Sequence, residues 1–486
     1  MKESGCVSTR FSRNTKRLAL GAMLTGLLLF GLVEISAAQS DFIYPIRVPH
    51  VQVDPSMNLP DGMPYCRTGS GLRLICYGPS FVRKAYNFPA TSTLDGTGQT
   101  ILIVDAFGSP TIEKDLALFD GVFGIPAPPS FTILCPEDGC PVYDPNDTHH
   151  GEVGWTVETS LDVEYAHAMA PGANIVLVVA STSSGNAINS AEARAIKLYP
   201  GSIMSQSFGI PEILVHGNNA QFMQAEKNYA AAAQAGITVL ASAGDNGATN
   251  GFGSANALFP ASDPLVLAVG GTEGKPYTNP GTATLSCPAS TTCSVGLATF
   301  TGPCSSVNGF LTSPCTPVGY GGEQVWNEPF FAPGATTGGA PSLFFPVPAY
   351  QDGLGLSSRT TPDVSYNGAI HGGVLVANSS VLGVPVFFIV GGTSAGSPQW
   401  AAIIALANQA AGGPLGFLNT AIYKLAQSSA YATDFHDITV GNNQMPGTPV
   451  GFNAGTGWDD ASGWGTPNVA NLIPDLVKCA TTSTCP

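Results

Sequence analysis

Val390-Gly391-Gly392-Thr393-Ser394-Ala395-Gly396-Ser397-Pro398 joins an apolar run over 384–390 to a second apolar run over 400–407. The layout reads as strand, tight glycine turn and helix, with Ser394 at the bend. A serine there has its hydroxyl pushed into the open, and its own N–H lies at a helix start, where negative charge is favoured. Both properties suit a nucleophile that must build an oxyanion beside itself. Gly-Thr-Ser turns also serve as plain helix N-caps. The turn alone therefore leaves two readings open.

Working outward, the same strand-and-helix rhythm recurs. Gln99-Thr100-Ile101-Leu102-Ile103-Val104-Asp105 is a buried-strand run, followed by a helix over 156–169 that stops before Pro171. A strand over 174–180, a helix over 190–198, a short strand over 203–207, a helix over 221–235 and strands over 237–242 and 265–269 come next. Continuously apolar strands alternating with helices predict a parallel sheet covered on both faces. Residues 273–320 break the rhythm: they are rich in Thr, Ser and Gly, hold four cysteines, and read as a surface insertion pinned by disulfides. The α/β core is back by the strand that starts near Val384, and no internal repeat is present.

Composition narrows the class. Only 10 % of the 486 residues are charged, while Gly (58) and Pro (39) are abundant, which suits a large, loop-rich α/β or β domain. The balance of 18 Lys+Arg against 33 Asp+Glu, net −15, argues against nucleic acid as a partner, because phosphate binding needs concentrated positive charge. An excess of carboxylates is also compatible with an acidic habitat, where many become neutral.

Arg10, Arg13, Lys16 and Arg17 precede an apolar run from Leu18 to about Val33 and the small residues Ser36-Ala37-Ala38. That order predicts a secretory signal over 1–38, cut after Ala38, and a secreted or periplasmic monomer with no stable membrane association afterwards. The competing reading is an uncleaved membrane anchor, since the run is slightly long. Cys6 goes with the signal. The other ten fall in close pairs: Cys66/Cys76, Cys135/Cys140, Cys287/Cys293, Cys304/Cys315 and Cys479/Cys485. Neighbour pairing gives five short-loop disulfides, although spacing alone does not fix connectivity. Zinc is the rival, and it lacks a Cys-x2-Cys pair.

Glu158 and Asp162 lie four apart on the helix over 156–169, so they share a face about 6 Å apart along the axis. Their bland reading is a solvated acidic patch near a helix start. In Ser242-Ala243-Gly244-Asp245 a strand runs into a turn with Asp245 at its tip, a position that a turn-capping Asp fills equally well.

Together these pieces resemble one family. Gly392-Thr393-Ser394-Ala395-Gly396-Ser397-Pro398 is similar to the nucleophile turn of subtilisin-like serine peptidases. Glu158-x-x-Leu161-Asp162 and Ser242-Ala243-Gly244-Asp245 resemble the sedolisins, or serine-carboxyl peptidases (peptidase family S53), within that clan. Gly270-Gly271-Thr272, Gly321-Gly322-Glu323-x-x-Trp326 and Arg359-x-x-Pro362-Asp363-Val364-Ser365 add to the match, which covers roughly residues 80–478 with motifs in the family's order. The resemblance implies a subtilisin-like three-layer α/β/α fold with a mainly parallel central sheet. It implies an enzyme acting on protein or peptide substrates, as an endopeptidase or tripeptidyl peptidase. Ser394 would be the nucleophile, Glu158 the general base, Asp162 its support and Asp245 the oxyanion donor. A carboxyl donates a hydrogen bond only while protonated, so the expected activity is acidic. Ser205, Gln206, Ser207 and Gly209 would line the substrate strand.

The resemblance also implies one structural Ca²⁺, held by the carboxylates of Asp437 and Asp459 with the carbonyls of Ile438, Gly455 and Gly457; two ordinary Asp turns are the alternative. Asp105 and His149-His150-Gly151, with Ser394, imitate the Asp, His, Ser order of a subtilisin, but Glu152 and Val153 follow Gly151 where a Thr-His pair is expected. An idle binding homologue is a further alternative, whose mark would be loss of Ser394, Glu158, Asp162 or Asp245; all four are present. The expected organisation is a signal (1–38), a short Pro-rich arm with one cysteine pair (39–78), a peptidase domain (79–478, insertion 273–320) and a tail (479–486). Sedolisins usually carry a prodomain ahead of the catalytic part, and here only about forty residues lie between the signal and the first matching segment.

Overall fold

The computed structural model describes residues 42, 44, 48–56, 65–144, 146, 151–215, 220–275, 286–307, 310–313, 315–331, 334–482 and 484–486. The signal segment and His150 lie outside the described residues. Among those described, no helix is long and apolar enough to cross a membrane.

Alternation along the strands generates two cores from one sheet. In the Thr100–Ala106 strand, Ile101 and Ile103 face one side and Leu102 and Val104 the other, all fully buried. The first side packs against the Glu152–Met169 and Gly396–Ala411 helices through Val157, Leu161 and Ile403. The second packs against the Gly185–Leu198 and Ala220–Gln234 helices through Ile188, Ala225 and Tyr229. This is the expected three-layer α/β/α arrangement, and it explains why the strands read as apolar on both faces.

The sheet has eight strands. Across it run Phe131–Leu134, Asn174–Ala180, Thr100–Ala106, Ile203–Gln206, Thr238–Ser242 and Val266–Gly274, each parallel to its neighbour. Val364–Asn367 runs parallel beside the last, and Glu323–Val325 closes the edge antiparallel. Parallel strands deliver their C-terminal ends to one edge, the usual site of chemistry in open α/β sheets.

A second sheet involves the N-terminal arm. Its five strands run His50–Gln52, Val386–Val390, Gly373–Asn378, Arg73–Tyr77 and Tyr65–Arg67. The segment read as an arm thus contributes three strands, one of them paired to the strand that leads into the Ser394 turn. The insertion over 273–320 forms two small three-stranded sheets. All five neighbouring cysteine pairs are bonded: Cys66–Cys76, Cys135–Cys140, Cys287–Cys293, Cys304–Cys315 and Cys479–Cys485.

Candidate active site

The turn at Ser394 is a single 3-10 turn, Thr393–Ala395, passing directly into the Gly396–Ala411 helix. Gly392 makes it possible. Its φ is +96°, and a Cβ there would stand 2.6 Å from the Asp245 carboxyl, so both the backbone and the space require glycine. Ser394 is 6 % exposed and lines a cavity of about 310 Å³ with Ser207, Gly209, Asp245 and Thr393.

The acidic helix is longer than the sequence suggests. It starts at Glu152, after Gly151 at φ 72°, so Glu158 is its seventh residue and not part of the first turn. The patch is also not solvated: Glu158 and Asp162 are both 0 % exposed. Burial holds the Glu158 carboxyl well above its ordinary range, and the nearby charges of Asp162, Asp105 and Asp245 add to this. Burial raises Asp162 likewise, with Asp105 as the charged neighbour. Asp105, at the end of its strand and 0 % exposed, is lifted to about 7 by burial, while Thr159 works in the opposite direction.

Few fixed donors reach these groups. Ser207 donates its hydroxyl to Asp162 Oδ1 at 2.9 Å. Among the described residues, both oxygens of Glu158, both of Asp105 and Oδ2 of Asp162 have no donor. Three buried carboxyls so close cannot all be charged, and retained protons are the natural donors for the orphaned oxygens. The Ser394 hydroxyl donates to the Ser207 carbonyl at 3.4 Å, a long and readily released bond, and it also favours the charged form of Glu158. Once that weak bond is released, the hydroxyl has a buried carboxyl beside it to take its proton.

Asp245 follows the Thr238–Ser242 strand and faces the same cavity. Thr393 gives both its donors to Asp245 Oδ1, the N–H at 2.7 Å and the hydroxyl at 2.9 Å. Burial lifts this carboxyl to about 6, against the pull of the Thr393 bonds. With Oδ1 already accepting twice, a proton on Asp245 belongs on Oδ2, the oxygen beside Gly392.

Ser394, Glu158, Asp162 and Asp245 are therefore gathered at one end of the sheet; Ser207 and Gly209 share the cavity with Ser394 and Asp245, while Glu158 and Asp162 are fully buried and do not line it. Ser205 does not line it. Its hydroxyl is fully buried and bonds Ser397 at 2.8 Å, because it sits on the strand inside the core. Sequence reading missed Thr393 as the residue that orients Asp245, and it gave Asp105 only to the histidine alternative. Adjacency of Thr393 to Ser394, and the place of Asp105 at a strand's C-terminal end, were the available signals.

Apart from this site, Asp437 and Asp459 meet in one glycine loop. The Gly457 N–H donates to Asp437 at 3.1 Å and the Gly455 N–H to Asp459 at 2.9 Å. Asp459 also accepts from the Ala461 and Ser462 N–H groups. Both carboxylates thus reach the same 455–457 turn, through its glycine N–H groups.

Residues 145–465 match the Subtilase family. The chain is similar to kumamolisin of Bacillus sp. (strain MN-32), 33 % identical over an alignment of 420 residues that covers 83 % of this chain and 64 % of that protein. It is also similar to sedolisin of Pseudomonas sp. (strain 101), 28 % identical over 79 % of this chain and 59 % of that one. It thus spans less than two thirds of either relative. The solved structure of Pseudomonas sedolisin, a serine-carboxyl proteinase complexed with pseudo-iodotyrostatin, superposes with a TM-score of 0.64 at 24 % identity, covering 82 % of this chain and 98 % of that one.

Proposed function

The chain belongs to the subtilase family, in its sedolisin branch, and on that premise we propose that it is a secreted, acid-active serine-carboxyl peptidase. It hydrolyses peptide bonds through an acyl-enzyme on Ser394. The observation that carries the reading is the buried carboxyl pair beside the nucleophile: Glu158 and Asp162 are fully buried, the Ser394 hydroxyl favours the charged form of Glu158, and the Ser207 hydroxyl, which donates to Asp162 Oδ1 at 2.9 Å, lies 3.3 Å from the Ser394 carbonyl.

In this mechanism Ser394 Oγ attacks the peptide carbonyl carbon as Glu158 takes its proton. To act as base Glu158 must carry the cluster's charge while Asp162 and Asp105 retain protons; burial opposes that charge and the Ser394 hydroxyl favours it. Oδ2 of protonated Asp245 donates to the oxyanion of the tetrahedral intermediate. Glu158 then returns the proton to the departing amine, leaving Ser394 acylated. Water, losing its proton to the same carboxylate, releases the acid product and regenerates the hydroxyl. Acid activity follows from Asp245, which donates only while protonated and loses that proton as pH rises through about 6.

We further propose one structural Ca²⁺ at Asp437, Ile438, Gly455, Gly457 and Asp459. Bound there, it would neutralise two carboxylates and tie the loop to the domain.

The test is a pH-resolved assay on a denatured protein substrate, comparing wild type with Ser394→Ala. Activity confined to wild type and peaking below neutrality is expected. Equal activity in both ends the peptidase reading, and a peak above neutrality ends the acid one. The size of the released products separates endopeptidase from tripeptidyl-peptidase action.

A further inference from the structure

Outside the Ser394 cavity, the wall that carries Ser207 and Gly209 continues into an exposed apolar ledge. The Ile210–Pro211 strand pairs antiparallel with Leu258–Phe259, and Pro211, Leu214 and Leu258 all line the cavity. The 3-10 turn Glu212–Leu214 follows at once. It presents Ile213 and Leu214 to solvent at 44 % and 47 % exposure, while Glu212 beside them is fully buried. Leu214 therefore belongs both to the cavity wall and to the outer surface.

The turn is tightly held. The Glu212 N–H donates to the Ala257 carbonyl at 3.0 Å and the Ile213 N–H to Asn256 Oδ1 at 3.1 Å. The buried Glu212 carboxyl clasps a second segment of chain. Its Oε1 accepts from the Ser342 hydroxyl at 2.7 Å and its Oε2 from the Leu343 N–H at 2.5 Å. Ser342 Oγ in turn accepts from the Phe344 and Phe345 N–H groups at 3.1 Å and 3.0 Å. This winding leaves Phe345 buried and Leu343 and Phe344 outside, at 54 % and 36 % exposure. The Phe344 ring is rooted on that of buried Phe222, with 5.5 Å between centroids.

Single exposed apolar side chains are ordinary on a protein surface. Here one buried carboxyl uses both its oxygens to bring two exposed apolar pairs together at a cavity mouth, and apolar surface gathered in this way marks an interaction site. Because the clasp fixes the backbone beneath them, little order remains to be lost on binding. Continuity with the cavity identifies the occupant. A chain whose scissile bond lies at Ser394 and which leaves past Leu214 runs onto Ile213, Leu343 and Phe344. None of these side chains is charged, so the ledge selects apolar residues, and apolar residues close together in sequence are accessible in unfolded protein.

We propose that Ile213, Leu214, Leu343 and Phe344 form a docking ledge for an apolar segment of an unfolded protein substrate, remote from the bond cleaved at Ser394. The proposal rests on the peptidase reading and adds to it a preference for long, apolar chains over short peptides.

The experiment uses two fluorogenic peptides with the same residues around the scissile bond. They differ only in three consecutive residues about six positions away, roughly 20 Å in an extended chain: Leu-Phe-Leu in one and Ser-Ser-Ser in the other. The pair is made with the extension on each side of the bond in turn. On one side, wild type is expected to show a KM at least about tenfold lower for the apolar peptide at equal kcat. Leu343→Ser/Phe344→Ser should raise that KM to the value for the serine peptide. The serine peptide reports the integrity of the Ser394 cavity, and circular dichroism the fold. Equal KM for both peptides on both sides, or a preference that survives the double substitution, overturns the proposal. So does a wild-type dimer in sedimentation velocity that the double variant lacks, which would put a second copy on the ledge.

Binding of both peptides, labelled, is also measured by fluorescence anisotropy in a Ser394→Ala background. At least about tenfold tighter binding of the apolar peptide is expected, and its loss on adding Leu343→Ser/Phe344→Ser. If that selectivity holds but no protein with Ser394 intact cleaves either peptide, the peptidase reading fails and the ledge stands. If both peptides are cleaved and bound equally, the ledge fails alone.

Discussion

Asp245→Asn keeps the shape of the oxyanion donor and removes its titration. In the wild-type chain burial lifts the carboxyl to about 6, and both Thr393 donors go to Oδ1. The acid proton therefore sits on Oδ2, beside Gly392, and is lost as pH rises through about 6. Each further pH unit cuts the protonated fraction tenfold, so near pH 7 about one molecule in ten retains the donor. In the variant the amide oxygen can accept from Thr393 as Oδ1 does, which puts the amide nitrogen at the Oδ2 position, donating at every pH. The ratio of kcat/KM near pH 7 to that near pH 5 is expected to rise about tenfold relative to wild type, with activity near pH 5 within a few-fold. Asp245→Ala removes the donor altogether and should lower kcat by roughly 10²–10³, as loss of one oxyanion donor does elsewhere. Steady-state kinetics on a fluorogenic peptide from about pH 3 to pH 8 reads all three proteins. An Asn variant as impaired as the Ala variant, or an alkaline limb that does not move, would refute the assignment of Oδ2 as the donor.

Stability should also fall toward neutrality for a reason unconnected with catalysis. Glu192 is fully buried, accepts from Asn228 and Tyr229, and is raised from 4.5 to about 7 by burial. Its contribution is complete below pH 4.5 and is lost as pH rises through about 7, a difference of about 3 kcal/mol at 1.36 kcal/mol per pH unit. Urea unfolding of Glu192→Gln near pH 4 and pH 8 should show the gap between the two conditions shrinking by about that amount, and parallel pH curves for the two proteins would contradict it. Chelation is expected to lower Tm by on the order of 5 °C, reversed by Ca²⁺ and absent in Asp459→Asn. No shift in the wild-type melting curve would remove the calcium proposal.

The strand–turn–helix at Ser394 and the alternating core were legible because both depend on local order along the chain. The five disulfides were legible for the same reason, each closing a loop of 5 to 11 residues. What the spacing of Glu158 and Asp162 could not reveal was their burial. That depends on the Gly396–Ala411 helix packing beside theirs, with the strand of Asp105 beneath both. The third carboxyl went unrecognised because Asp105 meets Glu158 only through strand order, with Thr100–Ala106 lying centrally between Asn174–Ala180 and Ile203–Gln206. The arm was hardest to read. His50–Gln52 is three residues long, and its partner, Val386–Val390, lies more than three hundred residues away. Periodicity within a window cannot report such a pairing.

The choice between a carboxyl and an imidazole base is decided by comparing Glu158→Gln with His150→Ala on a denatured protein substrate at acid pH, with circular dichroism showing both folded. A buried glutamate acting on Ser394 predicts that Glu158→Gln loses at least about 10³ of kcat while His150→Ala stays within a few-fold of wild type. Retained activity in Glu158→Gln, together with its loss in His150→Ala, would contradict the serine-carboxyl mechanism outright.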